Sequence, residues 1–253
     1  MLAVLLVPVL LWQEPEPPPE PSPAPKVEAP APAAPTAPVV VIDDAKAKVL
    51  VAEFTKSLKG TPSMAQKTQA LQKLAGSANK LLVKPLAQVV ETDKSIVVRK
   101  HAAQLLVEQP AVEANPTVRK LLRSARVGTA PAVMAELVRG LVRCGYEQKQ
   151  WPDLADLFEQ TWHPDRVPLQ EALLDLVIAT KEKQAIPLLL RNLDAPEPKD
   201  PHAPDNPPAE YWKARWESWA VWKGKVKDAL FALTGQRFST AAEAEAWLKK
   251  NPG

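Results

Sequence analysis

The chain has 253 residues, of which 46% are apolar, and a formal net charge of +3. This length and apolar content are enough to bury the core of one large domain or two small ones. Four glutamates and one lysine in residues 1–42 leave +6 on residues 43–253, where acids are interspersed with bases. Nucleic-acid binding usually needs clustered Lys and Arg, so the pattern argues against it and leaves acidic partners open.

The chain begins with an apolar run from Met1 to Trp12 that contains one proline, Pro8. Its length suits the core of a signal peptide and falls short of the roughly 20 residues that a spanning helix needs. No Lys or Arg precedes it. We expect residues 1–13 to be a signal peptide or a short N-terminal anchor, with a wrongly assigned start site as the alternative. The expected location is exported, either periplasmic or associated with the cell envelope, with membrane contact only through this segment.

Prolines concentrate in two stretches of the chain. Eleven of the 28 prolines lie between Glu14 and Pro38, and six lie in residues 195–208. A segment of this composition cannot bury enough apolar area to offset its ordering entropy, and it favours extended polyproline II. We expect residues 14–42 to be a disordered linker that spaces the folded domain, residues 43–253, from a membrane or wall. A proline-rich ligand for a partner's aromatic groove is the alternative.

From Asp44 onward the apolar residues recur with helical spacing. Thr61 before Pro62, and Asn115 before Pro116, indicate helix starts of the cap-and-proline type. The one β-branched run, Val39–Ile42, lies at the end of the linker. The predicted helices cover residues 44–58, from Thr61 through Leu74, 77–90, 94–108, from Asn115 through Leu122, 131–143, 151–160, 167–180 and 184–193. First helices of successive pairs start near residues 77, 116, 151 and 183, and spacings of about 32 to 39 residues are typical of helical-hairpin repeats.

One predicted pair carries a more specific pattern. Pro85-Leu86, Val89-Val90, Asp93 and Val98-Arg99 together resemble a HEAT-type repeat. The resemblance implies an all-α, right-handed alpha-alpha solenoid of helical hairpins, in which Asp93 and Arg99 contribute to a ladder of hydrogen bonds between repeats. Independently of the family, a turn aspartate accepts from amides at the next helix start, and a guanidinium bridges oxygens along a stack.

Other units match this pattern in part. Leu193-Asp194 supplies a turn aspartate without the following Val-Arg, and the 195–208 loop interrupts that unit. Asp165 supplies another turn aspartate, with Gln170 or Glu171 at the arginine position.

Residues 209–253 are predicted to form Trp-rich terminal helices. Leu233-Thr234-Gly235 and Phe238, followed by a helix from Thr240 to Trp247, resemble the closing segment of exported bacterial HEAT-like proteins. Gly235 suits a helix C-terminus, and Thr240 with Glu243 forms a capping box. Solenoids need a terminal cap over their open core, and we interpret this segment as a C-terminal helical cap.

Four tryptophans lie on one side of the helix predicted after residue 208. At 100° per residue, Trp212, Trp216, Trp219 and Trp222 fall within about 120° of each other, and Val226 and Leu230 continue the same side. Burial against the core is one interpretation. The others are an exposed aromatic platform for a glycan or peptide and a membrane-interface belt.

Signals of catalysis and of metal binding are missing from the sequence. His101, His163 and His202 are far apart, and none has the spacing of a zinc site. Cys144, the one cysteine, ends an apolar helical pattern and is interpreted as a small buried hydrophobe. Gly-x-Ser-x-Gly and glycine-rich phosphate loops are absent, and Asp153 with Asp156 is interpreted as a solvated helix face. We expect no enzyme, no metal and no cofactor.

The sequence therefore predicts a non-enzymatic protein-interaction or scaffold module of the cell envelope. Its surface would follow the concave row of second helices, where the solvent-facing candidates are Lys100, Gln104, Arg139 and Arg143. The expected partner is another protein, with a glycan or a cell-envelope component as alternatives and nucleic acid not expected. The competing hypothesis is a glycan- or peptide-binding module that uses the Trp-rich helix 209–233.

Overall fold

The computed structural model describes residues 39–198 and 203–251, and these residues are mostly helical. The expected all-α class is confirmed. The predicted signal segment 1–13, residues 14–38 of the predicted linker 14–42 and His202 lie outside the described residues. The prediction of disorder is wrong for residues 39–42, because they include a short paired strand, Val40–Val41. The described helices are α1 (Asp44–Ser57), α2 (Met64–Gln72), α3 (Lys80–Thr92), α4 (Ile96–Leu106), α5 (Ala111–Leu122), α6 (Ala125–Gly128), α7 (Pro131–Leu141), α8 (Trp151–Glu159), α9 (Val167–Thr180), α10 (Ile186–Arg191), α11 (Ala209–Thr234) and α12 (Ala241–Lys250).

The start of α2 differs from the prediction. Ser63, not Thr61, is the N-cap: its hydroxyl accepts from the amide of Gln66 at 3.3 Å, and the Gln66 side chain accepts from the Ser63 amide at 2.8 Å. This reciprocal capping box satisfies two amides that would otherwise lack partners. Pro62 therefore precedes the helix instead of beginning it.

The start of α5 also differs. Pro110 occupies the N-cap position, and Pro116 lies inside the helix. Asn115 is buried and has a different role, because its amide nitrogen donates to the Gly145 carbonyl and its oxygen accepts from Gln150 Nε2 at 3.3 Å. The predicted Asn-Pro helix start is thus wrong, since this asparagine serves a contact 30 residues further along the chain.

Two series of helix contacts run along the fold. In the first, α2 contacts α4, α4 contacts α7, α7 contacts α9, and α9 contacts α11; in the second, α1 contacts α3 and α3 contacts α5. Buried apolar side chains from Phe54 to Ala244 form one continuous core. Cys144 is part of this core, as predicted, and burial raises the pKa of its thiol to about 11.

Two short strands close the N-terminal end of the described fold. β1 (Val40–Val41) pairs in parallel with β2 (Ser77–Ala78), with Val40 opposite Ser77. Next to this pair, the buried Asn79 side chain donates to the Ile42 carbonyl at 2.9 Å and accepts from the Leu81 amide at 2.9 Å. Asn79 thereby caps α3 and holds the chain that leads into α1.

Polar links join neighbouring helix pairs at a regular interval. Gln109 accepts from the Asn79 amide across 30 residues, Gln150 donates to Asn115 across 35, and Tyr146 donates to Glu182 across 36. Such links satisfy polar groups that would be costly to leave unpaired inside the protein. Among the described residues, the side-chain hydrogen bonds span at most 52 positions of sequence. None of the helices in residues 39–198 and 203–251 has both the length and the hydropathy of a membrane span.

Candidate interaction surface

A row of charged side chains runs across the exposed side of the second helices. Glu136 on α7 accepts from Arg139 at 3.0 Å, and Lys100 on α4 lies 3.8 Å from the same carboxylate. Arg139 also reaches toward α9, where it donates to the Pro168 carbonyl at 3.5 Å. Two of the four predicted surface residues, Lys100 and Arg139, therefore meet at one acid and connect three helices.

The same surface continues onto α11. The Lys225 ammonium lies 2.9 Å from the Asp175 carboxylate and 3.6 Å from that of Glu171, both on α9. The four helices α4, α7, α9 and α11 thus present one continuous charged face, with bases and acids alternating along it. We refer to this surface as the second-helix face.

Gln104 and Arg143, the other two predicted residues, are exposed, and they follow Lys100 and Arg139, respectively, by four positions. Arg143 lies close enough to Glu108 for its positive charge to oppose the effect of burial, which raises the pKa of that carboxyl. His101, which the sequence placed at the surface or rim, is half-buried on α4, and burial lowers its pKa. Neutral His101 therefore adds no charge to this region near pH 7.

The predicted ladder residues contact neighbouring helix pairs in both directions. Arg99 is buried and donates to the Val90 carbonyl at 2.7 Å and to the Arg126 carbonyl of the following pair at 2.9 Å. Asp93 accepts from the Ser95 amide at 2.8 Å and from Lys67 of the preceding pair at 2.6 Å. Arg99 therefore bridges two backbone carbonyl oxygens, whereas Asp93 forms an ion pair with Lys67.

A second buried arginine was missed by sequence reasoning. Arg166 donates to the Leu157 carbonyl at 2.8 Å, nine positions back, just as Arg99 donates to Val90. Alignment of this unit on Asp165 predicts Gln170 or Glu171 at this position. When the two units are aligned on the carbonyl that accepts from the arginine, that of Val90 or of Leu157, Arg166 is the equivalent of Arg99. Its Nε is buried without a hydrogen-bond partner among the described residues.

The four tryptophans of α11 differ sharply in exposure. Trp222 is completely buried, Trp212 and Trp219 are half-buried, and Trp216 is 52% exposed. An exposed platform of all four is therefore wrong, because Trp222 faces the core and donates to Gln170 at 3.0 Å. Trp219 donates to the Asn192 carbonyl at 3.2 Å, and its ring centroid lies 6.3 Å from that of Trp216.

An aromatic cluster at the start of α11 includes a ring that the periodicity of one helix could not reveal. Trp162, in the turn before α9, donates to the Tyr211 hydroxyl at 3.2 Å. The Arg215 guanidinium lies 5.2 Å from the centre of the Trp162 ring and 5.7 Å from that of Trp212, a cation–π arrangement. This cluster fixes the beginning of α11 against the rest of the core.

A cavity of about 320 Å³ opens beside α5, α6 and α8. Its lining is mixed in charge, with Arg119, Arg123, Asp153 and Asp156 at its polar side. Arg123 and Asp153 form an ion pair with each other, so the charges there are largely matched within the chain. In the part of the chain that the structure describes, no three His, Cys, Asp or Glu side chains are grouped as a metal site requires.

Comparison of the chain with protein-family models, curated proteins and solved structures gave no match. The function is therefore argued from the geometry of the chain itself.

Proposed function

We propose that residues 43–253 form a HEAT-like, right-handed alpha-alpha solenoid that acts as a non-enzymatic protein-interaction or scaffold module of the cell envelope. The packing of α2, α4, α7, α9 and α11 supports this proposal, because each of these five helices contacts the next one in this series. Stacking of consecutive hairpins is how repeat proteins build a continuous core and an extended surface.

The direction of the helices supports the same proposal. Gln170 meets Trp222, Asp175 meets Lys225, and Lys181 at the end of α9 donates to the Ala232 carbonyl. Residue numbers rise together on the two helices, so α9 and α11 run parallel. Second helices of a solenoid are parallel in this way, because each is followed by a return helix on the other layer.

One observation carries the proposal of binding: the second-helix face is a single charged surface built by four helices. Lys100, Glu136 and Arg139 hold one another in place, which reduces the ordering entropy that a partner would otherwise have to overcome. Gln104 and Arg143 are exposed beside them. A protein with charges complementary to this alternating row is the partner that such a surface fits best.

The proposal is tested by site-specific photo-crosslinking in cells that produce the full chain. A photoreactive amino acid at Gln104 or Arg143 is expected to capture one specific protein. Matched probes at Lys84 on α3 and Lys120 on α5, which are exposed on first helices, are expected to capture none. The captured protein is then purified and titrated with wild type, with Arg143→Glu and with Lys84→Glu.

We expect Arg143→Glu to weaken that complex by about tenfold, which corresponds to about 1.4 kcal/mol, and Lys84→Glu to leave it unchanged. Equal capture from all four positions, or equal affinity of the two variants, would refute binding through the second-helix face.

A second candidate function rests on Trp216. Its indole is 52% exposed beside Trp219, whose ring lies 4.7 Å from the Lys223 ammonium, and flat exposed rings of this kind stack on sugars and prolines. If this surface binds glycans or peptides, oligosaccharides or proline-rich peptides protect Trp216 from acrylamide quenching in the wild type. Trp216→Ala would abolish binding of the same ligand while stability stays unchanged. Quenching that no such ligand alters would exclude this candidate.

A further inference from the structure

The cavity beside α5, α6 and α8 lies at a gap in the packing of the first helices. In the second series of helix contacts, α1 packs on α3 and α3 on α5, but α5 does not pack closely on α8. Side chains bridge this gap: Asn115 accepts from Gln150 at 3.3 Å, and Arg123 forms an ion pair with Asp153. Protein interiors are otherwise close-packed. The cavity, of about 320 Å³, is large enough for a small ligand, since ligand pockets range from about 300 to 1,000 Å³.

Two walls of this cavity carry opposite charges. Arg119 lies on α5 and Arg123 directly after it, whereas Asp153 and Asp156 both lie on α8. Arg123 and Asp153 pair with each other. Arg119 and Asp156 form no ion pair with any residue in the ranges 39–198 and 203–251. The lining therefore leaves one positive and one negative side chain for a ligand.

The positive charge of Arg119 is not taken up by the nearby acid Glu147. Glu147 forms an ion pair with Lys149, whose hydrogen bond lowers the pKa of that carboxyl, and the charge of Arg119 adds a smaller effect in the same direction. Arg119 is half-buried at the cavity, where its guanidinium is placed to donate to a carboxylate.

Leucine side chains supply the apolar part of the lining. Leu122, Leu141 and Leu154 are buried, and Leu157 is half-buried. An apolar group placed against Leu157 leaves water, which is favourable by about 25 cal/mol per Å² of apolar surface buried. The ligand that complements this lining has an apolar body, a carboxylate and an ammonium group.

We propose that this cavity binds a small zwitterion with an apolar side chain, either a free amino acid or a dipeptide. Its carboxylate accepts two parallel hydrogen bonds from Arg119, and its ammonium group donates to the Asp156 carboxylate. Its apolar side chain lies against Leu157. Because Asp156 is exposed, water screens its attraction to the ligand and the expected affinity is modest. The cavity lies outside the second-helix face, so this proposal does not rest on the proposed function.

The test is isothermal titration calorimetry of the full chain with L-leucine and with leucyl-leucine. At least one of the two is expected to bind saturably, with one site per chain, and the two titrations tell a free amino acid from a dipeptide. N-acetyl-leucine amide and N-acetyl-leucyl-leucine amide are the matched controls, because they keep the apolar side chains and lack both charges. We expect them to bind at least about tenfold more weakly.

Variants of the two charged residues locate the site. Arg119→Gln and Asp156→Asn, each alone, are expected to weaken binding at least about tenfold. Arg126→Gln is the matched control and is expected to change nothing, because Arg126 is an exposed arginine on the neighbouring α6 that does not line the cavity.

Gly128→Leu tests whether the ligand occupies the cavity itself. Gly128 lines the cavity, its φ is not positive, and an added Cβ would meet no atom within 4 Å. The variant is expected to fold, as thermal unfolding checks, and to bind at least about tenfold more weakly because its side chain takes up ligand space. Saturable binding of neither zwitterion overturns the proposal. So does equal binding of the blocked compounds, equal weakening by Arg126→Gln, or unchanged binding by a folded Gly128→Leu variant.

Discussion

Trp222 donates its indole hydrogen to the side-chain oxygen of Gln170 at 3.0 Å, and both side chains are completely buried. The amide nitrogen of Gln170 donates in turn to the Phe158 carbonyl at 3.0 Å. Gln170, near the start of α9, thereby joins the end of α8 to the middle of α11. A buried polar network that is fully paired rigidifies a core, whereas a broken one leaves an unpaired group at high cost.

Truncation of Trp222 is expected to be far more costly than truncation of Trp216. Trp222→Ala removes a buried ring and leaves the Gln170 oxygen unpaired, so we expect it to lower the free energy of unfolding by about 3 to 5 kcal/mol. Trp216→Ala removes a half-exposed ring and is expected to cost less than about 1 kcal/mol. Chemical denaturation at low protein concentration measures both values. Equal penalties would contradict the opposite placement of the two indoles.

Arg99 is expected to contribute more to stability than Arg166. Arg99 donates to the Val90 and Arg126 carbonyls, which belong to adjacent helix pairs. Arg166 donates to the Leu157 carbonyl and the Gln160 side chain, both within nine positions of it, and its Nε has no described partner. Arg99→Met leaves two carbonyls without their donor, and we expect a loss of about 2 to 3 kcal/mol. Arg166→Met is expected to cost about 1 kcal/mol less.

Arg126→Met is the control for this comparison. Its side chain is exposed and its backbone carbonyl, which Arg99 uses, is unchanged by the substitution. The free energy of unfolding is expected to stay within about 0.5 kcal/mol of wild type. Equal losses from Arg166→Met and Arg99→Met would contradict the greater contribution that we assign to the link between helix pairs.

Gly140 on α7 packs directly against Val107 at the end of α4. A Cβ added to Gly140 would lie 2.1 Å from a methyl group of the buried Val107. Gly140→Ala is therefore expected to lower the free energy of unfolding by about 1 to 3 kcal/mol, despite the higher helix propensity of alanine. Gly128→Ala, where a Cβ meets open space, is expected to be neutral or slightly stabilising. Thermal unfolding of the two variants decides the matter, and a neutral Gly140→Ala would be the contrary result.

Glu159 is expected to make stability depend on pH. Burial acts to raise the pKa of its carboxyl, but hydrogen bonds from Arg191 at 2.7 Å and Asn192 at 3.0 Å outweigh burial and lower that pKa below its usual value. A carboxylate whose pKa is lower in the folded than in the unfolded state stabilises the fold when the pH is above its pKa in the unfolded state. This contribution is lost as pH falls through the folded pKa.

We therefore expect Glu159→Gln to cost about 1 kcal/mol at pH 7, a modest value because Arg191 is largely exposed. The penalty should shrink at acidic pH, as the pH falls toward the lowered pKa of the folded carboxyl. Denaturant unfolding at pH 7 and pH 3 measures it, with the exposed Glu53→Gln as control. A penalty of equal size at both pH values would speak against an ionised Glu159 in the hydrogen-bonded pair.

Helix positions were largely predictable from the sequence because apolar spacing records which side of a helix is buried. The helix predicted over 167–180 is observed as α9 from Val167 to Thr180, and the one predicted over 151–160 ends one residue earlier. The cap-and-proline starts failed at Thr61 and Asn115, where tertiary contacts and a stronger capping box at Ser63 determine the outcome. Local rules do not contain that information.

Contacts between distant segments were harder to predict for the same reason. Arg166 could not be predicted from the position of Asp165. The feature that it shares with Arg99 is a hydrogen bond to a backbone carbonyl nine positions earlier, which the position of a turn aspartate does not reveal. The spacing of the tryptophans placed all four on one side of α11 without showing that Trp222 enters the core while Trp216 extends beyond it. Exposure changes along the helix because α9 and α10 cover only part of its length.

The short reach of the side-chain hydrogen bonds, at most 52 positions within the described residues, has a mechanical consequence. When a force pulls residue 39 away from residue 251, we expect each helix pair to bear the load through its immediate neighbours, because no side-chain hydrogen bond between described residues joins the two ends. Pairs should then yield one after another, and each frees on the order of 100 Å of extended backbone. We expect the described fold to lengthen stepwise under tension, while the pairs that have not yet yielded keep their surfaces.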